Sequence, residues 1–281
     1  MKRILTVQDI SCVGKCSLTV ALPIISAAGV ETAVLPTAVL SNHTAFQGFT
    51  FHDLTDDIAG ISEQWKKEHI TYDCIYTGYL GSREQIDLVA GLFEDYRLPK
   101  NIYVVDPAMA DHGKMYAGFE PSFAKEMARL CAKADLIVPN LTEACFMLDE
   151  EFVETGYDRA YIENILKKLT DLGPEVAALT GVSFDDDKLG TMAYNRETGT
   201  FFEYYNKKMN VSFHGTGDVF ASALVGALMN DFSVEDSLKV AVDYTLAAII
   251  CTMADDQANW YGVNFEEALP EYLRLLHKVI G

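Results

Sequence analysis

Residues 211–230 read VSFHGTGDVFASALVGALMN: a short apolar run, a turn containing Gly215, Thr216 and Gly217, and then a segment of helical periodicity. Small residues in that segment allow close packing, and one carboxylate, Asp218, lies where the helix begins. A helix N-terminus carries partial positive charge and unpaired N–H donors, and glycine lets an anion approach them closely. The stretch therefore predicts a phosphate site, with Asp218 placed to take a proton from the group that receives the phosphate. A simple helix cap is the alternative for Asp218.

Outward from this stretch, short apolar runs alternate with helix-period segments along the chain as far as Gly181. RILTV precedes CSLTVALPIISAAG, REQIDLVAGLFEDY precedes NIYVVD, and FAKEMARLCAKA precedes DLIVPN. This order predicts an α/β fold, a three-layer α/β/α sandwich with a mainly parallel sheet. The strand-like runs are short and β-branched, as expected of strands that are buried on both faces.

Beyond Gly181 the pattern changes. The segment LGTMAYNRETGTFFEYYN predicts an antiparallel hairpin with its turn around residues 195–199. Helices are predicted near residues 217–229, 234–253 and 265–279. No internal repeat and no linker rich in Pro, Gly or Ser interrupts the chain, so a single domain over residues 1–281 is the simplest interpretation.

Composition limits the classes of function. A formal net charge of −19 would repel a phosphate backbone, so we expect no nucleic-acid partner. The longest apolar stretch near the end, YTLAAIICTM, is too short to span a bilayer, and no signal-peptide pattern opens the chain. The six cysteines form no Cys-x-x-Cys pair, which favours reduced thiols and a cytoplasmic location.

The usual nucleotide-binding motifs are missing from the sequence. No G-x-x-x-x-G-K-[ST] segment occurs, and no G-x-G-x-x-G follows the first predicted strand. Ligands of open parallel sheets bind beyond the carboxyl ends of the strands. Polar residues predicted at those ends are Asp9, Thr77, Asp106, Asn140, Thr180 and Asp218.

Two stretches carry carboxylates that suit a divalent cation. Asp106 and Asp111 lie in DPAMAD, directly after a predicted strand, and Mg²⁺ commonly takes one or two carboxylates plus water and phosphate oxygens. Asn140 and Glu143 form an N-x-x-E element at the start of a predicted helix. For the first stretch the alternative is a solvated turn, and for Glu143 it is a helix cap.

The segment GTGDVFASALVGAL resembles the C-terminal signature of the ribokinase-like superfamily of small-molecule kinases. Four further segments resemble its pyridoxal kinase branch: SNHTAF (41–46), YTGYLGS (76–82), VVDPAMADHGKMY (104–116) and DLIVPNLTEACFML (135–148). Their order and spacing fit that family over nearly the whole chain. The resemblance implies ATP-dependent phosphorylation of the 5′-hydroxymethyl group of pyridoxal, pyridoxine or pyridoxamine. It also implies Mg²⁺, often a monovalent cation such as K⁺, and a homodimer.

The same resemblance implies a role for each matching residue. Asp218 is the base, and Gly215, Thr216 and Gly217 hold the transferred phosphate, with Gly217 also near ATP. Asp106, Asp111, Asn140 and Glu143 serve the metal and the nucleotide. Thr180 and Gly181 begin the contacts to the nucleotide phosphates. The substrate ring is expected to meet His43, Thr44 and Tyr79.

One position departs from the pyridoxal kinase pattern. The first strand of that family usually ends Gln-Ser-His, whereas here Gln8 is followed by Asp9. A carboxylate beside the ring could accept a hydrogen bond from the 3-hydroxyl group or a protonated ring nitrogen, so Asp9 leaves the exact substrate open. The alternatives are a kinase for hydroxymethylpyrimidine or for a sugar, and a non-catalytic vitamer-binding protein. The segment DISCVGKCSLTVAL lacks the Gly/Ser richness typical of the pyrimidine branch.

Overall fold

The computed structural model describes residues 1–277. Strands and helices alternate along this part of the chain, and most strands join one nine-stranded sheet with mainly parallel pairing. The predicted α/β class is therefore confirmed. In the sheet the strands follow the order β11-β10-β9-β8-β5-β4-β1-β2-β3, and a two-stranded β6-β7 pair stands apart. The strands are β1 (Arg3–Ser11), β2 (Glu31–Leu40), β3 (Phe51–Asp53), β4 (Cys74–Thr77), β5 (Ile102–Val105), β6 (Ala110–Asp111), β7 (Lys114–Met115), β8 (Leu136–Ile137), β9 (Val176–Val182), β10 (Lys188–Asn195) and β11 (Thr200–Lys207).

The helices bear the apolar periodicity seen in the sequence. They are α1 (Leu18–Ala27), α2 (Thr55–Lys67), α3 (Arg83–Asp95), α4 (Pro121–Cys131), α5 (Leu141–Leu148), α6 (Arg159–Asp171), α7 (Thr216–Leu228), α8 (Val234–Ala254) and α9 (Leu269–Leu275). The chain divides into two compact units, Met1–Cys74 with Met209–Gly281, and Ile75–Lys208. We call them the terminal unit and the central unit. The single domain expected from the sequence stays a prediction.

In the terminal unit, β1 pairs in parallel with β2, and its interior residues are buried. Helix α7 packs against α1 and α8. Its small residues are needed for this packing: a Cβ added at Gly226 would lie 2.1 Å from the Tyr272 hydroxyl group. That hydroxyl group donates a hydrogen bond to the carbonyl oxygen of Ala223 at 3.2 Å. The small-residue stripe therefore makes room for a neighbouring helix.

In the central unit, β5, β8 and β9 pair in parallel, and β10 and β11 continue in antiparallel fashion. The predicted hairpin is confirmed with its turn in the expected place. Gly199 closes the turn with a φ of 68°, and its N–H donates to the carbonyl oxygen of Asn195 at 2.9 Å. Glycine suits this position because a left-handed backbone costs it nothing.

Two features differ from the sequence predictions. The last helix begins at Leu269 rather than at residue 265, because Pro270 is tolerated only in the first turn of a helix. Residues 278–279 of that predicted helix lie outside the described part of the chain. Helix α8 agrees with the helix predicted over residues 234–253, but its 21 residues are long and apolar enough to cross a membrane by length and composition alone, which corrects the expectation drawn from the ten-residue run YTLAAIICTM. A single such helix is weak evidence for a membrane span, since the core helix of a soluble protein meets the same criterion.

Three of the six free cysteines are buried.

Candidate active site

The turn before α7 has the geometry of an anion site. Gly215 is the N-cap with a φ of 78°, and a Cβ there would lie 1.8 Å from the carbonyl oxygen of Lys15. The first intrahelical bond runs from the N–H of Val219 to the carbonyl oxygen of Gly215 at 3.0 Å. The amides of Thr216, Gly217 and Asp218 therefore precede the intrahelical ladder. A Cβ added at Gly217 would meet no atom within 4 Å, so the helix end is open at this residue.

Asp218 lies in the first turn of α7 and is only partly accessible to solvent. Burial raises the pKa of its carboxyl group to about 7, and the nearby charge of Asp9 acts in the same direction. A hydrogen bond from the backbone N–H of Ser17 opposes the rise in this pKa. A carboxylate that titrates near neutrality at the open end of a helix is suited to general-base catalysis.

The loop of residues 12–17, between β1 and α1, is fixed against this turn. The Lys15 ammonium group donates to Asn264 Oδ1 at 3.0 Å and forms an ion pair with Glu266 at 2.9 Å. A Cβ added at Gly262 would lie 2.3 Å from Lys15 Cβ. The Thr19 hydroxyl group donates to the carbonyl oxygens of Gly14 and Cys16, at 3.0 and 2.8 Å. The loop is thus held from several sides, which makes the position of the neighbouring turn well defined.

Asp9 is 4% exposed and lies in the electrostatic surroundings of Asp218. Its Oδ2 accepts a hydrogen bond from Ser11 Oγ at 3.0 Å, and it also accepts one from the Ser17 side chain. Burial raises the pKa of Asp9. The thiol of Cys16 is close to both carboxylates, and burial together with their charges raises its pKa far above the ordinary value. Cys16 is therefore a protonated thiol rather than a nucleophile at neutral pH.

The predicted substrate residues His43 and Thr44 follow β2. His43 is buried, and its Nδ1 accepts a hydrogen bond from the N–H of Ala45 at 2.9 Å. Burial, with a contribution from His214, lowers the pKa of His43, so its ring is neutral near pH 7. The proton of the neutral ring then lies on Nε2, which can donate to a ligand. Thr44 is exposed.

An aromatic cluster that we did not predict from the sequence surrounds His43 in the terminal unit. Its ring lies 5.0 Å from that of His214, the residue before Gly215. The Trp260 ring lies 6.4 Å from His214 and 4.6 Å from Phe46, while Trp260 itself is exposed. These residues come from three segments that are far apart in the sequence, so no local sequence pattern predicts the cluster. Exposed aromatic faces of this kind can stack on a planar ring.

In the central unit, Asn140 and Glu143 form a complete capping box at the start of α5. Asn140 Oδ1 accepts from the N–H of Glu143 and Glu143 Oε2 accepts from the N–H of Asn140, both at 2.9 Å. Glu143 Oε1 also accepts from the N–H of Met109 at 3.1 Å, and Asn140 Nδ2 donates to the carbonyl oxygen of Ala110 at 2.8 Å. The capping alternative for Glu143 therefore holds, and the box also fixes the loop after β5.

Asp106 and Glu143 are both buried and interact electrostatically. Burial and the charge of Asp106 raise the pKa of Glu143 well above its usual range. Mg²⁺ is commonly bound by one or two carboxylates together with water and phosphate oxygens, and this pair of carboxylates fits that description. A cation there would lower the cost of their burial.

Asp111 is not gathered with these two carboxylates. Its side chain is exposed, its Oδ1 accepts from the N–H of His112 at 2.8 Å, and the His112 ring lies near Glu154. Over residues 1–277, no group of three or more His, Cys, Asp or Glu side chains is arranged to hold a metal ion. The metal role of Asp111 stays a prediction.

The remaining predicted site residues also lie in the central unit. Thr180 forms an isolated bridge with Asn140, and its N–H donates to the carbonyl oxygen of Pro139 at 3.0 Å. Gly181 has a φ of 71°, and a Cβ there would meet no atom within 4 Å. Tyr79 is half-buried, with its ring 5.4 Å from that of Phe119. Tyr79 therefore packs on a neighbouring aromatic residue of its own unit.

The sequence profile of the phosphomethylpyrimidine kinase family matches residues 22–260. The chain belongs to this family. Its members are kinases, so the chain is of the phosphotransferase type that acts on an alcohol group. The thiamine biosynthetic bifunctional enzyme TH1 of Arabidopsis thaliana is 30% identical over 226 residues, which cover 78% of this chain and 41% of that enzyme. The chain therefore spans about two fifths of the length of that relative.

Pyridoxal kinases are also among its relatives, as the sequence resemblance implied. The pyridoxal kinase of Dictyostelium discoideum is 25% identical over 244 residues, covering 80% of this chain and 77% of that protein. A solved structure of a candidate phosphomethylpyrimidine kinase from Bacteroides thetaiotaomicron is 39% identical, with a TM-score of 0.92 over 96% of this chain and 93% of that chain. Pyridoxal kinase from Lactobacillus plantarum gives 28% identity and a TM-score of 0.89 over 98% of both chains. The ribokinase-like fold expected from the sequence is thereby confirmed.

Proposed function

We propose that the chain transfers the terminal phosphoryl group of ATP to the 5′-hydroxymethyl group of a vitamin B6 vitamer. The observation that carries phosphoryl transfer is the Asp218 carboxylate at the open N-terminus of α7, with its pKa raised to about 7. The vitamer is supported by a second crystal form of the 39% identical Bacteroides thetaiotaomicron protein, which was solved with pyridoxal.

In this reaction Asp218 takes the proton of the acceptor hydroxyl group as its oxygen bonds to phosphorus. The amides at residues 215–218 stabilise the negative charge on the transferred group, and Gly217 leaves room for it to come close. The neutral ring of His43 donates from Nε2, and Thr44 and Tyr79 complete the proposed set of substrate contacts. Positioning and charge stabilisation supply most of the rate in phosphoryl transfer.

For the co-substrate, we assign Asp106, Asn140, Glu143, Thr180 and Gly181 to ATP phosphates and the accompanying Mg²⁺. Bound Mg²⁺ would neutralise negative charge on the phosphate oxygens. Glu143 is held by backbone donors on both oxygens, so it acts through electrostatics and water rather than as a free ligand. A monovalent cation such as K⁺, a homodimeric assembly and a cytoplasmic location belong to the same proposal.

The second candidate substrate is hydroxymethylpyrimidine, because the family profile that the chain matches belongs to kinases named for a related pyrimidine, phosphomethylpyrimidine. Both substrates are planar heterocycles with a primary alcohol, so the proposed base and phosphate site serve either one. The absence of a Gly/Ser-rich segment after the first strand favours the B6 vitamers.

A coupled assay of ADP release tests the proposal with pyridoxal, pyridoxine, pyridoxamine and hydroxymethylpyrimidine as acceptors. We expect turnover with at least one B6 vitamer and a higher kcat/KM for it than for the pyrimidine. Asp218→Asn is the matched control, and it should lose at least about 10²-fold in kcat while ATP still binds. A higher kcat/KM for hydroxymethylpyrimidine would move the assignment to the second candidate. Thermal stabilisation by a vitamer without any turnover would indicate a binding protein and contradict the proposal.

A further inference from the structure

Trp260 exposes an unusually large part of its surface. It is 56% exposed, and among the large hydrophobic residues of the described part of the chain only Met1 is more exposed. Its ring lies 4.6 Å from that of Phe46 and 5.9 Å from that of Tyr261. Neighbouring rings therefore support part of the indole, and the rest is available to a ligand. Single exposed apolar residues are common on protein surfaces, so the surroundings of Trp260 decide whether it has a role.

The loop that carries Trp260 is fixed at both ends. Asp255, at the C-cap of α8, accepts the N–H of Gln257 at 2.8 Å and the side-chain amide of Asn264 at 2.9 Å. The N–H of Asn264 donates to Thr252 Oγ1 at 2.7 Å. Asn264 is buried, so these bonds are shielded from water. The loop thus holds the indole in place before a ligand binds, which lowers the entropic cost of binding.

The same loop is packed against the phosphate turn through Lys15. A Cβ added at Gly262 would lie 2.3 Å from Lys15 Cβ, and Lys15 Nζ donates to Asn264 Oδ1 at 3.0 Å. The carbonyl oxygen of Lys15 in turn lies so close to Gly215 that a Cβ there would be 1.8 Å away. Lys15 therefore contacts both the loop of Trp260 and the turn that opens α7, and it fixes one relative to the other.

Ring contacts lead from Trp260 to the same turn. The Trp260 ring lies 6.4 Å from that of His214 at an interplanar angle of 81°, and His214 directly precedes Gly215. The His214 ring lies 5.0 Å from that of His43, which is among the proposed substrate contacts. A planar ring placed against Trp260 would therefore lie beside the turn, where a hydroxymethyl substituent could face Asp218.

We propose that Trp260, supported by Phe46, selects the acceptor by stacking on the planar heteroaromatic ring that carries the hydroxymethyl group. An electron-poor pyridine ring gains both dispersion and electrostatic attraction on the face of an indole. A sugar ring instead presents hydroxyl groups on most of its carbon atoms, and these require polar partners rather than aromatic ones. This proposal rests on the proposed function, in which the acceptor is a heterocyclic alcohol, and it adds a residue that determines specificity for the ring.

The experiment is ¹⁹F NMR on the full chain labelled with 5-fluorotryptophan, with pyridoxine as the probe. The chain has two tryptophans, so two resonances are expected, and Trp65→Phe assigns them. Trp65 lies on α2, where its ring packs 5.9 Å from that of Tyr72, and it serves as the internal control. Ring currents act only on close neighbours, so pyridoxine should shift the Trp260 resonance and leave the Trp65 resonance in place. Ribose should shift neither resonance.

Three results of this titration would overturn the proposal. The first is a Trp260 resonance that does not move up to the solubility limit of pyridoxine. The second is an equal shift with ribose, because the indole would then have no preference for a planar ring. The third is a Trp260 resonance that moves with protein concentration but not with pyridoxine, because a second copy of the chain would then cover the indole.

Kinetics measure the size of the effect. Trp260→Leu should raise the KM for pyridoxine about tenfold with little change in kcat, as expected for the loss of one stacking contact that is equally strong in the ground state and the transition state. Trp260→Phe keeps an aromatic face and should recover most of the affinity. Trp65→Phe is the matched control and should change neither constant. Trp260 is largely exposed, so both of its variants are expected to fold.

The two measurements also separate this proposal from the proposed function. If pyridoxine moves the Trp260 resonance but no acceptor is phosphorylated, the ring contact stands and the proposed function fails. If pyridoxine is phosphorylated and Trp260→Leu leaves its KM unchanged, the proposed function stands and the role of Trp260 is overturned.

Discussion

At the scale of single residues, Asp218 can serve as a base only when its carboxyl group is ionised, and burial in the fold disfavours the ionised form. Burial raises the pKa of its carboxyl group to about 7, so half of the molecules carry the neutral acid at that pH. Only the carboxylate can accept the proton of an alcohol. We therefore expect kcat/KM to rise as the pH passes 7 and to level off above it, with about a tenth of the plateau at pH 6. A profile flat from pH 5 to 8 would contradict the role of Asp218.

The same residue predicts a dependence of stability on pH. The pKa of Asp218 is higher in the folded chain than the ordinary 3.8. The protonated carboxyl group therefore stabilises the folded chain fully below about pH 4, and this stabilisation is lost as the pH rises through 7. Asp218→Asn removes this loss. At pH 8 its free energy of unfolding should exceed that of the unchanged chain by at most about 4 kcal/mol, and the gain should vanish near pH 4. Urea unfolding at the two pH values measures it. A variant less stable than the unchanged chain at pH 8 would show that the carboxylate is not strained by burial.

At the scale of elements, the two glycines at the start of α7 have different roles: Gly215 is the N-cap and Gly217 lies in the first turn. The backbone of Gly215 has a left-handed φ, and a Cβ added there would lie 1.8 Å from the carbonyl oxygen of Lys15. A Cβ added at Gly217 would meet no protein atom within 4 Å. Gly215→Ala should therefore lower both stability and activity. Gly217→Ala should keep stability or gain up to about 1 kcal/mol from helix propensity, yet lose activity because the methyl group occupies space needed by the phosphate.

Thermal unfolding and kcat/KM on both variants test this difference. Gly91, in the middle of α3 with open space around it, provides a matched control: Gly91→Ala should raise stability and leave kcat/KM alone. Full activity in Gly217→Ala would show that no ligand approaches the backbone at this residue.

Sequence patterns predicted the elements of the site better than its internal contacts. The turn at Gly215, the capping element at Asn140 and the β10–β11 hairpin were all visible because each depends on neighbouring residues. The ring contacts of Trp260 with Phe46 and His214 join distant segments, so no local period predicts them. Helix α9 begins at Leu269 and not at residue 265, because apolar periodicity alone takes no account of Pro270, which is confined to the first turn.

At the scale of the whole molecule, the α/β class followed from the alternation of short buried runs with helical segments, a property of the entire chain. The substrate does not follow in this way, since one fold supports several acceptors and their choice depends on a few side chains. Asp9 illustrates the limit: its departure from the family pattern was plain in the sequence, but its partners Ser11 and Ser17 were not.

The net charge of −19 is also a property of the whole chain, and it predicts a response to salt. Excess negative charge destabilises a compact state by self-repulsion, and raising the salt from 0.01 M to 1 M shortens the screening length from about 30 Å to about 3 Å. Exposed ion pairs such as Arg97–Asp135 weaken at the same time, but each contributes little. The melting temperature should therefore rise by a few degrees with NaCl. It should rise equally with KCl, because screening depends on the ionic strength and not on which monovalent cation is present. Stabilisation by KCl beyond that by NaCl would reveal the proposed monovalent-cation site, and a melting temperature that falls with both salts would show that attractive pairs dominate.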